Sequence, residues 1–153
     1  MYTRTRVDGH KFEEEFEKLM AKQAFPHFLI RLRTPSQQYA GVTNIADYIL
    51  FSHSTHILEL KETSKDAFYL SQINQKDELE RFKEYYKKAK SYYNQTPDKF
   101  PIRALVIIHF IRESKYVAYP IDEYDFKPVR STTPECLVSD TLQELLNEVL
   151  ETI

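Results

Sequence analysis

The chain has 153 residues, of which 42% are hydrophobic and 29% charged, and it carries a net charge of −2. That is the length and balance of one folded domain with a single core, and it excludes a disordered acidic or basic tail protein. No apolar run approaches the ~18 residues of a membrane span, and a lone cysteine, Cys136, excludes an internal disulfide and a zinc knuckle.

Charge is unevenly spread. Pro134 onward holds five acids (Glu135, Asp140, Glu144, Glu148, Glu151) and no Lys or Arg, leaving the first 133 residues with 21 basic against 18 acidic groups. A mildly basic body with an acidic tail is compatible with a nucleic-acid partner, and equally with a solvated acidic helix. The N-terminus has no apolar segment behind its basic residues, so no secretory signal is expected, and with one cysteine this fits a cytoplasmic protein. Gly9 and Gly41 are the only glycines, which removes glycine-rich phosphate loops and the nucleotide-binding readings that depend on them.

The first helix is expected over 8–24, with Phe12, Phe16, Leu19 and Met20 at helical spacing, Asp8 as its cap and Pro26 as its stop. Phe28 to Arg33 reads as a strand and Thr34 to Asn44 as a polar loop. Asp47–Phe51 and His56–Lys61 form a hairpin around Ser52–Thr55. Both of its faces carry apolar residues, so the sheet should be covered by helices on both sides. A long helix follows over 73–93, with Leu79, Phe82, Tyr86, Ala89 and Tyr93 on one face and Tyr85 and Tyr92 directed to the surface. Arg103–Arg112 and Tyr116–Tyr119 are strands joined by a turn at Glu113-Ser114. Thr141 to Leu150 is a final amphipathic helix. The order, αβββα, two strands and a helix, implies a single α/β domain over 1–153 around a mixed sheet, with a helical tail over 134–153.

Three residues in the hairpin suggest chemistry. Glu59 and Lys61 are two apart on one strand and share a face. Asp47 lies on the neighbouring strand, and joins them if opposing residue numbers sum to 106 or 108; a sum of 107 would pair it with Leu60 and put the carboxylates on opposite faces. Two hard carboxylates can hold Mg²⁺ beside a phosphate, and a lysine can stabilise transition-state charge. Glu-x-Lys alone is a weak signal, since Glu113-Ser114-Lys115 repeats it at an expected hairpin tip. The first triplet is set in apolar strand, where unused charge is costly. Spacing leaves two readings open, a metal site for phosphodiester cleavage or a cross-strand salt bridge.

Four stretches go further. Gly9-x-x-Phe12-Glu13, Asp47-Tyr48-Ile49-Leu50, Glu59-Leu60-Lys61-Glu62-Thr63 and Phe68-Tyr69-Leu70-Ser71-Gln72-Ile73 together resemble the PD-(D/E)xK nuclease superfamily. Within it the chain resembles the RecU-type and Hjc-type Holliday junction resolvases, particularly phage versions, over about residues 6–121. The resemblance implies a restriction-endonuclease-like αβββαβ core and Mg²⁺ (Mn²⁺ substituting) held by Asp47 and Glu59. It also implies Lys61 as the catalytic lysine and Glu13 contributing to the metal site from the first helix. Its helix glutamine falls on Gln75, with Gln72 as the alternative. Ala46 stands where the superfamily's proline would be. A four-way DNA junction would be the substrate, and a homodimer would supply two symmetric nicks.

His53-x-x-His56 reads as a plain turn rather than a metal pair. Arg31 and Arg33, alternating with leucines, point to phosphates or to solvent.

Overall fold

The structure, a computed structural model, describes residues 9–32, 46–52, 54–69, 76–92, 102–121 and 128–151. Helix α1 (Gly9–Ala21) is followed by strands β1 (Phe28–Arg31), β2 (Tyr48–Phe51) and β3 (Thr55–Thr63), then α2 (Lys76–Tyr92), β4 (Ile102–Phe110), β5 (Lys115–Pro120), β6 (Leu137–Ser139) and α3 (Leu142–Glu151). The strands form one six-stranded sheet in sequential order, β1 to β6. Only β3 and β4 run parallel; the other neighbours are antiparallel. The single parallel pair is joined by α2, as a crossover requires, so the sheet is mixed as expected.

Alternation along the central strands sorts the core into two layers. Tyr48, Leu50, Leu58, Leu60, Leu105 and Ile107 pack against Phe12, Phe16 and Met20 of α1 and against Leu142, Leu145 and Leu146 of α3. On the opposite face Ile57, Val106, Ile108, Val117 and Tyr119 meet Phe82 and Tyr86 of α2. Of the residues expected on the apolar face of α2, Phe82, Tyr86 and Ala89 are buried, and Tyr85 is exposed as expected. Leu79, Tyr92 and Tyr93 lie outside the described side chains.

The element ends differ from the expectation for local reasons. Helix α1 closes at Ala21, well before Pro26, because Lys22 and Gln23 turn back onto the carbonyls of Leu19 and Met20, and Gln23 Nε2 donates to Leu19 O at 2.9 Å. Asp8 and the loop 33–45 lie outside the described residues. Two strands were expected after α2 and three are found among the described residues. Strand β6 has only three residues, too few to show periodicity, and pairs with β5 through Val117↔Val138. Phe68 and Val129 form an isolated bridge, N–H to O in both directions at 2.8 and 2.7 Å. Thr141 caps α3 through Oγ1, which accepts the Glu144 N–H at 3.2 Å. The second Glu-x-Lys triplet is a hairpin tip, with Ser114 at a φ of 52° and Lys115 paired to Asp140. Among the described residues no helix is long and apolar enough to cross a membrane.

Candidate active site

The hairpin register decides whether the three candidate residues meet. Tyr48 pairs with Leu58 and Ile49 with Ile57, so opposing numbers sum to 106, one of the two values that bring Asp47 to the Glu59 face. At Asp47 the regular ladder gives way. Its N–H donates to Leu58 O at 3.0 Å although Tyr48 is the register partner of Leu58, so two residues oppose one, as in a bulge. The turn this introduces directs the Asp47 carboxylate along β3, where Oδ2 accepts the Leu60 N–H at 2.8 Å. Strand β2 therefore starts at Tyr48, and Asp47 is fixed at its mouth by its own side chain.

Glu59 and Lys61 leave β3 on the α2 face, flanked by Val106 and Ile108 of the parallel strand. The Glu59 side chain is fully buried, that of Lys61 is 32% exposed, and Nζ lies 3.2 Å from Glu59 Oε1. Neither Glu59 oxygen has a well-aligned hydrogen-bond donor. Burial and the neighbouring charge of Asp47 push the Glu59 carboxyl up to about 8. Burial also raises Asp47, opposed by the Leu60 N–H, the Lys61 ammonium and the Glu59 contact. The two carboxyls face one lysine, and burial with the like charge of Asp47 favours the protonated form of Glu59. A structural salt bridge needs one acid for one base; the second, half-buried acid, Asp47, is surplus to that role.

This donor set fits a hard divalent cation. Among the described residues no three acids, histidines or cysteines converge, which excludes a closed zinc-type cage there. Mg²⁺ characteristically binds through one or two carboxylates and completes its shell with water and substrate phosphate. Asp47 and Glu59 are two carboxylates that could hold such an ion, and neither oxygen of Glu59 has a good donor of its own.

Glu13, expected to join Asp47 and Glu59, does not converge with them and stands in a separate network on the α1 face. Its Oε2 receives Arg31 Nη2 at 2.7 Å, while Arg31 Nη1 lies 3.5 Å from Glu17 Oε1. Glu17 Oε1 also accepts the Tyr48 hydroxyl at 2.7 Å, which with burial raises Tyr48 well above its ordinary range. Arg31, left open between phosphate and solvent by the sequence, thus points at two glutamates of α1. Tyr48→Phe should cost about 1–2 kcal/mol in denaturant unfolding, the worth of a part-buried bond to a charged acceptor. Gln72 and Gln75 lie outside the described residues, as does His53. His56 is fully buried within β3 rather than at the turn.

Sequence reasoning did not find the pairing of Glu62 with His109. The Glu62 side chain is fully buried on the α1 face, Oε2 sits 2.6 Å from His109 Nδ1, and the His109 ring stacks on Tyr116 at 4.2 Å. Its one signal was that Glu62 extends the Glu-x-Lys run within apolar strand.

No protein-family model matches the chain, and no curated protein matches it in sequence. Among solved structures it is similar to Hjc of Archaeoglobus fulgidus, a Holliday junction resolvase from an archaeal hyperthermophile. The match has 16% identity and a TM-score of 0.53, and covers 90% of this chain and 98% of that one. The chain has the restriction-endonuclease-like α/β fold. At this identity the likeness establishes the fold and leaves the activity to the chemistry of the site.

Proposed function

We propose that the protein is a Mg²⁺-dependent, structure-selective DNA endonuclease, a Holliday junction resolvase of the Hjc type. The observation that carries the reading is the convergence of Asp47, Glu59 and Lys61 on one sheet face, within a fold shared with a resolvase.

Asp47 and Glu59 would hold the cation, Mn²⁺ substituting for Mg²⁺; Glu13, which does not converge with them in this structure, would contribute only through water. What such a cation supplies when bound is Lewis acidity toward the scissile phosphate and a more acidic water. Glu59 must give up its proton to serve, and its neighbour Lys61 keeps the resulting charge balanced. The Lys61 ammonium, one-third exposed, would meet the phosphate and stabilise the charge that develops as the phosphodiester is attacked. Gln75, or Gln72 in its place, remains a proposed site residue.

Each chain offers one such site and a junction needs two symmetric nicks, so the working unit is a homodimer. Phe28 on the edge strand β1 and Phe51 on its neighbour β2, opposed in register, are 65% and 41% exposed. They suit burial against a second subunit. Branched DNA would be recognised in the cytoplasm by shape and phosphate contacts rather than base edges.

Purified protein with Mg²⁺ is expected to nick a four-way junction at paired symmetric positions, and at least tenfold faster than the linear duplex of the same arms. Equal rates on both would point to a restriction- or repair-type duplex endonuclease. No cleavage of any DNA form, with no Mg²⁺ or Mn²⁺ binding, would mark a non-catalytic DNA-binding module and overturn the proposal.

A further inference from the structure

Strand β1 is one edge of the sheet, and two backbone bonds fix the phase of its ladder. Ser52 N–H donates to Ser54 O at 2.9 Å in the β2–β3 hairpin, and Leu32 N–H donates to Asp47 O at 2.9 Å between β1 and β2. Bonding alternates along an antiparallel pair. Phe28 and Ile30 therefore bond inward to β2, and the N–H and C=O groups of Leu29 and Arg31 point out from the sheet. Among the described residues no strand pairs with them. The usual protections of an edge are missing from β1. It has no proline and no bulge, and its one charge, Arg31, is turned onto Glu13 and Glu17 of α1. The other edge, β6, is only three residues long, with the Lys115–Asp140 pair beside its end. On the face that carries Ile57, β1 and β2 present Phe28, Ile30 and Phe51 at 65%, 36% and 41% exposure. An occupant of this edge must offer a strand to the outward groups and an apolar row to that face. A second copy of β1 offers both.

Taking the need for two sites from the nuclease reading above, we propose that the chain dimerises by antiparallel pairing of β1 with β1 of a second copy. The two-fold axis passes at Ile30 and joins two six-stranded sheets into one. Leu29 of each copy exchanges backbone bonds with Arg31 of the other, which uses every outward group of the four-residue strand. The axis is perpendicular to the sheet, so Asp47, Glu59 and Lys61 of both copies lie on the same side. The site row is level with Leu32, two residues from the axis in each copy, and five strand spacings separate the two β3 strands. The sites are then roughly 25–30 Å apart, and one branched DNA laid on that side meets both.

Disulfide trapping in the full chain carrying Cys136→Ser tests this register. Ile30 and its symmetry mate form a non-hydrogen-bonded pair with Cα atoms about 4.5 Å apart, within the span of a disulfide. Leu29 and its mate are about 9 Å apart, beyond that span. Under mild oxidation Ile30→Cys should become mostly cross-linked dimer, and Leu29→Cys should give less than a tenth as much. Ile30→Lys, which sets two ammonium groups together at the axis, should convert the sedimenting dimer to monomer with an unchanged circular dichroism spectrum, while Ile30→Val stays dimeric. On a cruciform plasmid Ile30→Lys should release nicked circles where the wild type releases linear product. A wild type that sediments as a monomer, or cross-linking of Leu29→Cys in place of Ile30→Cys, would overturn the interface and leave the nuclease reading standing. A cross-linked Ile30→Cys dimer from a chain that cleaves no DNA would uphold the interface and overturn the nuclease reading.

Discussion

Asp47→Asn and Lys61→Ala are each expected to slow junction cleavage by at least about 10²–10³-fold while junction binding stays within a few-fold of wild type. The two substitutions fail for different reasons. Asparagine retains an oxygen that can accept the Leu60 N–H, so the hairpin mouth keeps its shape. It removes one of the two charges that attract a cation, and Glu59, freed from a like charge, loses a cause of its high proton affinity. Added Mg²⁺ should therefore recover part of the Asp47→Asn loss. Alanine at 61 leaves both carboxylates and removes the ammonium beside Glu59. Cation binding should persist, and no Mg²⁺ concentration should restore the rate. Single-turnover nicking across a Mg²⁺ titration separates the two. Asp47→Asn cleaving at the wild-type rate would sink the assignment of the site. The combined variant should be no slower than the worse single one, because both residues serve a single step.

What the sequence could show about this site, and what it could not, follows from the range of the interactions. Asp47, Glu59 and Lys61 were legible because strand alternation and hairpin register are local rules, and an even register was the one condition to be met. The bulge at Asp47 was not legible: a strand reading extends the ladder straight through it, and the carboxylate that accepts the Leu60 N–H takes a place no propensity marks. Arg31 was ambiguous for a related reason. Alternation fixed the face it leaves from, but the partners on that face belong to α1, and the approach of α1 is set by Phe12, Phe16 and Met20 packing on Tyr48 and Leu58. The fold was readable where periodicity had room, in α1, α2, α3 and the long strands β3 and β4. Strand β6, three residues beside β5, offered no such room. The Glu62–His109 pair joins positions 47 residues apart across the parallel β3–β4 pairing, and a parallel register is set by a crossover whose geometry the chain does not spell out locally.

The protonated Glu59 carboxyl should make the protein less stable as pH rises in the absence of divalent cations. Its ordinary value is 4.5 and the fold raises it to about 8. Below 4.5 the group is protonated in both folded and unfolded chains and contributes no pH dependence. Between 4.5 and about 8 the unfolded chain has released the proton while the fold still holds it, so stability falls with each increment of pH. Above about 8 both states are ionised and the loss levels off. Across the window the loss is on the order of a few kcal/mol, a fall in melting temperature on the order of 10 °C for a chain of this size. Glu59→Gln should remove this slope, since glutamine is neutral throughout, and should be the more stable protein at pH 8 in EDTA. Added Mg²⁺ should act in the opposite sense. It requires the ionised carboxylate, so its stabilising effect grows from pH 5 to pH 8, with close to one proton released per ion bound at pH 6. Melting curves of both proteins in EDTA and in Mg²⁺ give the four profiles. The difference between wild type and Glu59→Gln isolates this carboxyl from every histidine that titrates in the same range. A wild-type slope that survives in Glu59→Gln would assign the proton elsewhere. A Mg²⁺ effect that survives it undiminished would place the cation away from Glu59, and a site whose proton and cation compete for one buried carboxylate permits neither result.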